Sequence, residues 1–175
     1  MINSLLDSIQ NLITLSPSEK ELAITLFKEK IYKKGDFFLA EGQICKQVGF
    51  VAKGLLRYYI NHNGEEKTYA FSQENQYVCN YESFLPQSPS SKVIQALEDC
   101  DVFVISHHDL QIFYSSVRQG ERFGRVAIEG VFMQLLQDIS SFYTETPELR
   151  YERFIKTHAD LQQRLLNIIS HRMWV

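Results

Sequence analysis

Four of the five glycines in residues 33–71, Gly35, Gly42, Gly54 and Gly64, separate short apolar segments of the stretch KKGDFFLAEGQICKQVGFVAKGLLRYYINHNGEEKTYAF. Glycine is favoured where a chain must turn with a positive φ or where backbones approach closely. The segments between these four are rich in aromatic and β-branched residues. Short apolar runs separated by such turns are typical of β-strands that fold back on each other. The stretch therefore predicts β-structure.

The clearest strand pair within it is LLRYYINHNGEEKTYAF, residues 55–71. Its centre is Asn63-Gly64, the preferred sequence for a two-residue type I′ hairpin turn. Strand-like patterning continues over residues 30 to about 106.

Helical periodicity flanks this β-region on both sides. Leu5, Ile9 and Ile13 recur every four residues. In Ser16-Pro17-Ser18-Glu19, the serine can cap a second helix, the proline fits its first position and the glutamate completes a capping box. From about His107 to Gln163 the pattern is helical again.

The C-terminal helical region carries the most regular apolar spacing in the chain. Five large apolar residues follow each other at intervals of 4, 3, 4 and 3, the spacing of a coiled-coil seam. An amphipathic helix packed on its own β-domain would also bury such a stripe, but its regularity favours a parallel homodimer. The expected dimer interface consists of Ile128, Phe132, Leu135, Ile139 and Phe142.

Composition narrows the class of protein. The 175 residues are 45% hydrophobic and 22% charged, as in ordinary globular proteins, and a net charge of −3 gives no overall basic footprint for nucleic acid. No apolar run approaches the roughly 20 residues that span a bilayer, and the N-terminus lacks the basic start of a signal peptide. We expect a cytoplasmic protein without a membrane partner.

The cysteines and histidines give no sign of a metal site, a cofactor or an enzyme. The three cysteines, Cys45, Cys79 and Cys100, form no CxxC pair and are expected to be reduced and mostly buried. The histidines are expected at the surface, with His107 and His108 opening a helix. Nucleophile elbows, P-loops and kinase signatures are also missing from the sequence.

Several of these residues resemble the motifs of a known protein family. Lys34-Gly35-Asp36, Glu41-Gly42 and the strand ending at Gly54 resemble the opening strands of the cyclic-nucleotide-binding domain. With the order of helices, residues 8–163 resemble the sensor part of the Crp/Fnr superfamily of transcriptional regulators.

The resemblance implies an α+β fold: a double-stranded β-helix, or jelly roll, with flanking N-terminal helices and a long C-terminal dimerisation helix. The four glycines would be its corner residues. The implied domains are N-terminal helices in residues 1–29, a β-roll with a short following helix in 30–118, the dimerisation helix in 119–145, and the start of a C-terminal region in 146–175.

The ligand cassette is where the sequence departs from that family. Cyclic-nucleotide binders carry a glycine-glutamate pair for the ribose and, some residues later, an arginine for the cyclic phosphate. In YVCNYESFLPQSPSSKVIQALEDC, Cys79-Asn80 aligns with the first pair and Ser90-Ser91 with the arginine and its neighbour. Serine cannot replace a bidentate cation against a phosphate. We therefore expect no cyclic AMP binding at micromolar concentrations.

Two charged residues near the cassette are weaker substitutes for the missing pair. Strand alternation predicts that Lys92 needs a bulge to point inward, and Glu82 could replace the missing acid only with a shift in register. The remaining pocket is aromatic and polar, with one residue contributed by the long helix. It suits a small, neutral or cationic, flat organic effector, or else no ligand. Its expected members are Tyr69, Phe71, Asn80, Tyr81, Glu82, Ser90, Ser91 and Gln134.

Two other functions are open to a jelly roll. One is a free-standing module that binds a ligand or a protein and does not regulate transcription. The other, less favoured, is a cupin-like enzyme, whose metal site needs a His-x-His pair that the five histidines do not form: His62, His107, His108, His158 and His171.

The last residues differ from the family. Through about residue 164 the chain resembles the helix that leads into a winged helix-turn-helix, but it then reads LLNIISHRMWV. No recognition helix fits in this remnant, so we expect sequence-specific DNA binding only in a full-length parent protein.

A frameshift after about residue 164 would explain this ending. Codons allowed for Leu166 to Val175 can be written so that the neighbouring frame reads Pro-Gln-His-His-Ile-Ala-Ser-Tyr-Val-Gly, which resembles the start of the family's helix-turn-helix. The single codons of Met173 and Trp174 force its final Val-Gly. The nucleotide sequence tests this hypothesis, because unrelated sequence in the shifted frame would contradict it.

Overall fold

A computed structural model describes residues 1–157, 161 and 164, in two compact units, Met1–Gly124 and Arg125 onward. The predicted frameshift point and the residues after it lie outside the described part of the chain. The helices are α1 (Ile2–Gln10), α2 (Pro17–Leu26), α3 (Tyr81–Phe84), α4 (His107–Ser116), α5 (Gly120–Thr144) and α6 (Pro147–Thr157). The strands are β1 (Lys28–Tyr32), β2 (Phe37–Leu39), β3 (Gln47–Lys53), β4 (Leu56–His62), β5 (Glu65–Ser72), β6 (Tyr77–Val78), β7 (Lys92–Ala96) and β8 (Cys100–Ser106).

These strands form two four-stranded antiparallel sheets, in the orders β1-β8-β3-β6 and β2-β7-β4-β5. Early strands pair with late ones, as β1 does with β8 and β2 with β7, which is the winding of a jelly roll. The predicted fold class is confirmed: an antiparallel β-roll with N-terminal helices before it and a long helix after it. No described helix is long and apolar enough to cross a membrane.

Apolar side chains from both sheets fill the space between them. Phe50 of the first sheet and Ile94 of the second are both completely buried, and α4 adds Phe113. Burying one such side chain contributes about 1.5–3 kcal/mol, so this layer dominates the stability of the first unit.

The glycine turns are confirmed. The φ values are 94° at Gly35, 79° at Gly42, 100° at Gly54 and 82° at Gly64. Residues that have a Cβ atom rarely adopt such positive φ values. Gly54 is the most restricted of them, because a Cβ there would lie 2.5 Å from the sulfur of Cys100. The hairpin turn of β4 and β5 has the positive φ at both central residues that type I′ requires.

The predicted helix starts are also confirmed. Ser16 accepts a hydrogen bond from the Glu19 N–H at 3.3 Å, and the Glu19 carboxylate accepts one from the Ser16 N–H at 2.7 Å, so the capping box is complete. The same carboxylate accepts a 2.7 Å hydrogen bond from the backbone of Arg118, which ties α2 to the segment before α5. Helix α4 begins at His107, as expected.

Candidate functional site

The cassette, residues 79–92, connects β6 to β7 and contains the short helix α3. Asn80 precedes this helix, and its side-chain N–H donates a 2.6 Å hydrogen bond to the Ser90 hydroxyl oxygen. Both side chains are buried. The two positions predicted to align with the family's glutamate and arginine are therefore joined by this hydrogen bond.

The Ser90 hydroxyl has no free capacity for another strong hydrogen bond. It donates to the Lys92 carbonyl at 2.8 Å and accepts from the Lys92 N–H at 2.9 Å, in addition to the Asn80 contact. Its backbone pairs with the loop after β2, since the Ser90 N–H donates to the Gln43 carbonyl and the Gly42 N–H donates to the Ser90 carbonyl. The cassette is closed by its own polar groups.

Lys92 lies on the inner face of its sheet, and the prediction that it needs a bulge in its own strand is wrong. It pairs with Ile60, and Ile94 pairs with Tyr58, in a register without a shift between β4 and β7. Directly opposed residues share a face, and so do residues two apart, so Lys92 points to the side of Tyr58. Strand β7 begins one residue after Ser91, which places Lys92 at an inward position.

The Lys92 ammonium already has partners. Its nitrogen lies 2.7 Å from a carboxylate oxygen of Glu82 and 5.5 Å from the centre of the Tyr69 ring. The Lys92 side chain is 22% exposed, whereas that of Glu82 is 71% exposed. The carboxylate of α3 thus neutralises the one cationic side chain that the described cassette contains.

A β-bulge directs Tyr69 toward the Lys92 ammonium. Tyr58 pairs with Ala70 and Tyr59 pairs with Thr68, which leaves Tyr69 as the extra residue of β5. Its ring centre is 6.0 Å from that of Tyr58, and half of its surface is exposed. Burial of the other part, followed by the nearby carboxylate of α3, raises the pKa of Tyr69 to about 12.

The other predicted pocket residues are not all brought together. Phe71 pairs with Arg57, which points to the opposite face from Tyr58, so Phe71 lies away from the cassette. Tyr81 is half-buried at the start of α3, and Ser91 is exposed. Gln134 belongs to the second unit, where its side chain donates to Asp138 at 3.0 Å, and its predicted contact with an effector stays a prediction.

Sequence reasoning missed Tyr58. Its hydroxyl oxygen accepts a 3.3 Å hydrogen bond from the Cys79 N–H and shares a 3.0 Å hydrogen bond with the Ser72 hydroxyl. Burial raises the pKa of Tyr58, so the phenol is neutral. Its hydroxyl group holds the backbone at Cys79, the first residue of the cassette. The alternation of β4 signals that it points inward, but only the register shows which segment it reaches.

Within residues 1–157, 161 and 164, no three His, Cys, Asp or Glu side chains are grouped so as to hold a metal ion.

On α5, the residues of the predicted interface, named here the α5 seam, are all exposed in the single chain. Their exposed fractions are 40% for Ile128, 56% for Phe132, 51% for Leu135, 44% for Ile139 and 68% for Phe142.

Comparison with known proteins agrees with this architecture. Residues 29–128 match the family model of the cyclic nucleotide-binding domain. A comparison with curated proteins gave no significant match.

Three solved structures are similar to the chain. A transcriptional regulator of the Crp/Fnr family from Eubacterium rectale is 18% identical, with a TM-score of 0.66 over 85% of this chain and 70% of that one. The sensor domain of the regulator DNR from Pseudomonas aeruginosa is 15% identical, with a TM-score of 0.62 over 79% and 90% of the two chains. The catabolite activator protein of Thermus thermophilus is 21% identical, with a TM-score of 0.60 over 80% of this chain.

The chain spans 61% of the length of the Thermus protein, which is less than two thirds. These identities show a shared fold, while the family model covers more than half of the chain. The resemblance to the cyclic nucleotide-binding domain is thereby confirmed, and the chain belongs to the cyclic nucleotide-binding domain family.

Proposed function

We propose that this chain is the effector-sensing and dimerisation module of a cytoplasmic Crp/Fnr-like transcriptional regulator, and that its cassette does not bind cyclic AMP. It is not an enzyme in this proposal, and DNA is a partner of the full-length parent.

The hydrogen bond between Asn80 and Ser90 is the observation that carries the proposal. In the family, these positions hold a carboxylate for the ribose and a guanidinium for the phosphate. Here they hold two neutral side chains that satisfy each other in a buried place. Losing a charged hydrogen bond of about 1.5–3 kcal/mol weakens binding roughly tenfold to a hundredfold or more.

Lys92 is a poor replacement for the arginine. Its charge is matched by Glu82, so an incoming phosphate must displace that carboxylate and tolerate its repulsion. A lysine also lacks the planar fork that binds two phosphate oxygens at once. The cassette therefore selects against cyclic nucleotides in two independent ways.

The same contacts favour an uncharged or cationic flat effector. Tyr69 is half exposed, and the nearby Glu82 side chain is 71% exposed. A cationic ligand can pair with Glu82 and lie over the Tyr69 ring once the Lys92 ammonium turns away toward solvent, because the ion pair and the cation–π attraction then pass from Lys92 to the ligand. A neutral ring can stack on Tyr69 in the same position.

Exposure of the α5 seam supports the homodimer. Its five side chains form one stripe, and an exposed apolar patch of several hundred Å² is more than most monomers carry. Pairing two copies in parallel would cover both stripes. In the parent regulator, the dimer would set the spacing of two DNA half-sites.

Calorimetry with cyclic AMP tests the ligand part of the proposal. The unmodified chain should give no binding heat at micromolar concentrations. The double variant Asn80→Glu with Ser90→Arg restores the family's two charged groups at the proposed positions and should bind at least tenfold more tightly. A micromolar or tighter dissociation constant for the unmodified chain would refute the proposal.

The matched control is Ser91→Arg, which places the same guanidinium one residue away on an exposed position. It should not gain affinity. An equal gain in both arginine variants would mean that the added charge acts from a distance and that Ser90 is not the arginine position.

A further inference from the structure

Two cysteines that are far apart in sequence meet beside the cassette. Cys45 lies in the loop between β2 and β3, and Cys79 directly follows β6. Their sulfur atoms are 4.0 Å apart. Cys45 is 1% exposed, and Cys79 is partly exposed.

The two thiols have different acidities. The hydrogen bond from the Cys79 thiol stabilises the thiolate of Cys45 and lowers the pKa of Cys45 to about 7, although burial acts in the opposite direction. The same arrangement, together with burial, raises the pKa of Cys79. The arrangement therefore favours the thiolate of Cys45, the reactive form of cysteine.

The third cysteine has a different environment. Cys100 lies in β8, and its thiol donates to the carbonyls of Glu98 at 3.2 Å and Leu55 at 3.6 Å. Burial is the main reason that its pKa is raised to about 11. Cys100 is thus an inert thiol in the same chain, which makes it a natural control.

We propose that Cys45 and Cys79 form a reversible dithiol–disulfide site, oxidised by small hydroperoxides. Disulfides of cytosolic proteins are mostly transient and redox-linked, so a pair at this distance is a candidate for such chemistry. A small hydroperoxide can approach the pair from the side of Cys79, which is partly exposed. The proposal does not depend on the identity of any effector.

The chemistry balances in two steps. The Cys45 thiolate attacks one peroxide oxygen, the O–O bond breaks, and a sulfenic acid forms while the other oxygen leaves as water after taking a proton. The Cys79 sulfur then attacks the Cys45 sulfur, the S–O bond breaks, and a second water leaves with the Cys79 proton. Two thiols and one hydrogen peroxide give one disulfide and two waters, and a thiol reductant reverses the result.

The bond would join two segments that already touch. A disulfide has a sulfur separation of about 2.05 Å, so the sulfurs must approach each other by about 2 Å. Cys45 is in a loop, where its N–H donates to the Ser83 hydroxyl at 2.9 Å, and a loop can move more easily than a paired strand. Oxidation would tie this loop to the residue before Asn80, at the entrance of the cassette.

Peptide mapping after oxidation tests the proposal. The folded chain is treated with hydrogen peroxide, remaining thiols are alkylated, and the peptides are identified by mass spectrometry. We expect one cross-linked peptide that contains Cys45 and Cys79, two hydrogen atoms lighter than its reduced parts and released by dithiothreitol. The rate should rise with pH through about 7, as the Cys45 thiolate forms.

Single serine variants complete the test. Cys100→Ser should give the same cross-link, while Cys45→Ser and Cys79→Ser should give none, and circular dichroism would show that each is folded. The unmodified chain is informative by itself: oxidation of Cys45 or Cys79 beyond a sulfenic acid without a cross-link would overturn the proposal. A cross-link that involves Cys100, or a rate that stays flat until above pH 9, would overturn it too.

Discussion

The cassette and the α5 seam are opposites in how they satisfy their side chains. In the cassette, Asn80 is bonded to Ser90 and Lys92 to Glu82, so the polar groups find partners within one chain. In the α5 seam, five large apolar residues keep 40–68% of their surface exposed. Unpaired buried polar groups and large exposed apolar patches are both unfavourable. The polar groups of the first region are therefore paired within the chain, whereas the exposed residues of the second are the basis of the proposed homodimer.

The two regions are also unusual in different ways. The cassette is informative because neutral residues stand where the family has charged ones, and because they are bonded to each other. The α5 seam is unusual because its large apolar residues keep much of their surface exposed in the part of the chain that the structure describes. A separate substitution tests the interpretation of each region.

The largest effect is expected for Leu135→Asp, at the centre of the α5 seam. Two like charges would face each other in a buried dimer contact, which costs several kcal/mol per dimer. Analytical ultracentrifugation should show a dimer for the unmodified chain and a monomer for the variant, with β-rich circular dichroism unchanged.

Met133→Asp is the matched control for that experiment. Met133 is 55% exposed, close to the 51% of Leu135, but it lies on another side of the helix. This variant should remain dimeric. If the unmodified chain is monomeric at tens of micromolar, the α5 seam does not pair with a second copy and the dimer proposal is wrong.

An intermediate effect is expected for Ser90→Ala in the cassette. The substitution leaves the Asn80 amide and the Lys92 N–H without their acceptor in a buried place, which costs about 1–3 kcal/mol. Ser91→Ala, at the neighbouring exposed position, should change stability by less than about 0.5 kcal/mol. Urea denaturation measures both, and equal midpoints would mean that water replaces the lost contacts and that the cassette is open.

The smallest effect is expected for two ion pairs, one in the cassette and one on helix α5. Lys92 and Glu82 are 22% and 71% exposed, whereas Arg125 and Glu129 on α5 are 61% and 55% exposed. A double-mutant cycle with Met and Gln replacements should give a coupling of at most about 1 kcal/mol for the first pair and about 0.3–0.5 kcal/mol for the second. A larger coupling in the helix pair would contradict the view that the cassette holds its charges more tightly.

Local signals were enough to predict the skeleton of the fold. The turn glycines, the Asn63-Gly64 hairpin and the Ser16–Glu19 capping box are each determined by residues within a few positions, and each appears as expected. The family resemblance also indicated where the cassette lies, but the hydrogen bond between Asn80 and Ser90 was not predicted.

What could not be predicted depends on register and on distant contacts. The inward direction of Lys92 follows from where β7 begins, and the bulge that aims Tyr69 appears only once β4 and β5 are paired. The approach of Cys45 to Cys79 joins residues 34 positions apart, and no local spacing signals it. Phe71 was placed in the pocket for its aromatic character, but its pairing with Arg57 turns it to the other face.

The winding of the roll also fixes an order of assembly during synthesis. Tyr32 pairs with Cys100 and Phe37 with Gln95, so β1 and β2 leave the ribosome long before β8 and β7 exist to receive them. The β4–β5 hairpin, in contrast, joins Leu56 to Ser72 and can form as soon as it emerges. Because long-range pairing is slow and unpaired strands are prone to aggregation, we expect the nascent chain to be most vulnerable until β8 has emerged.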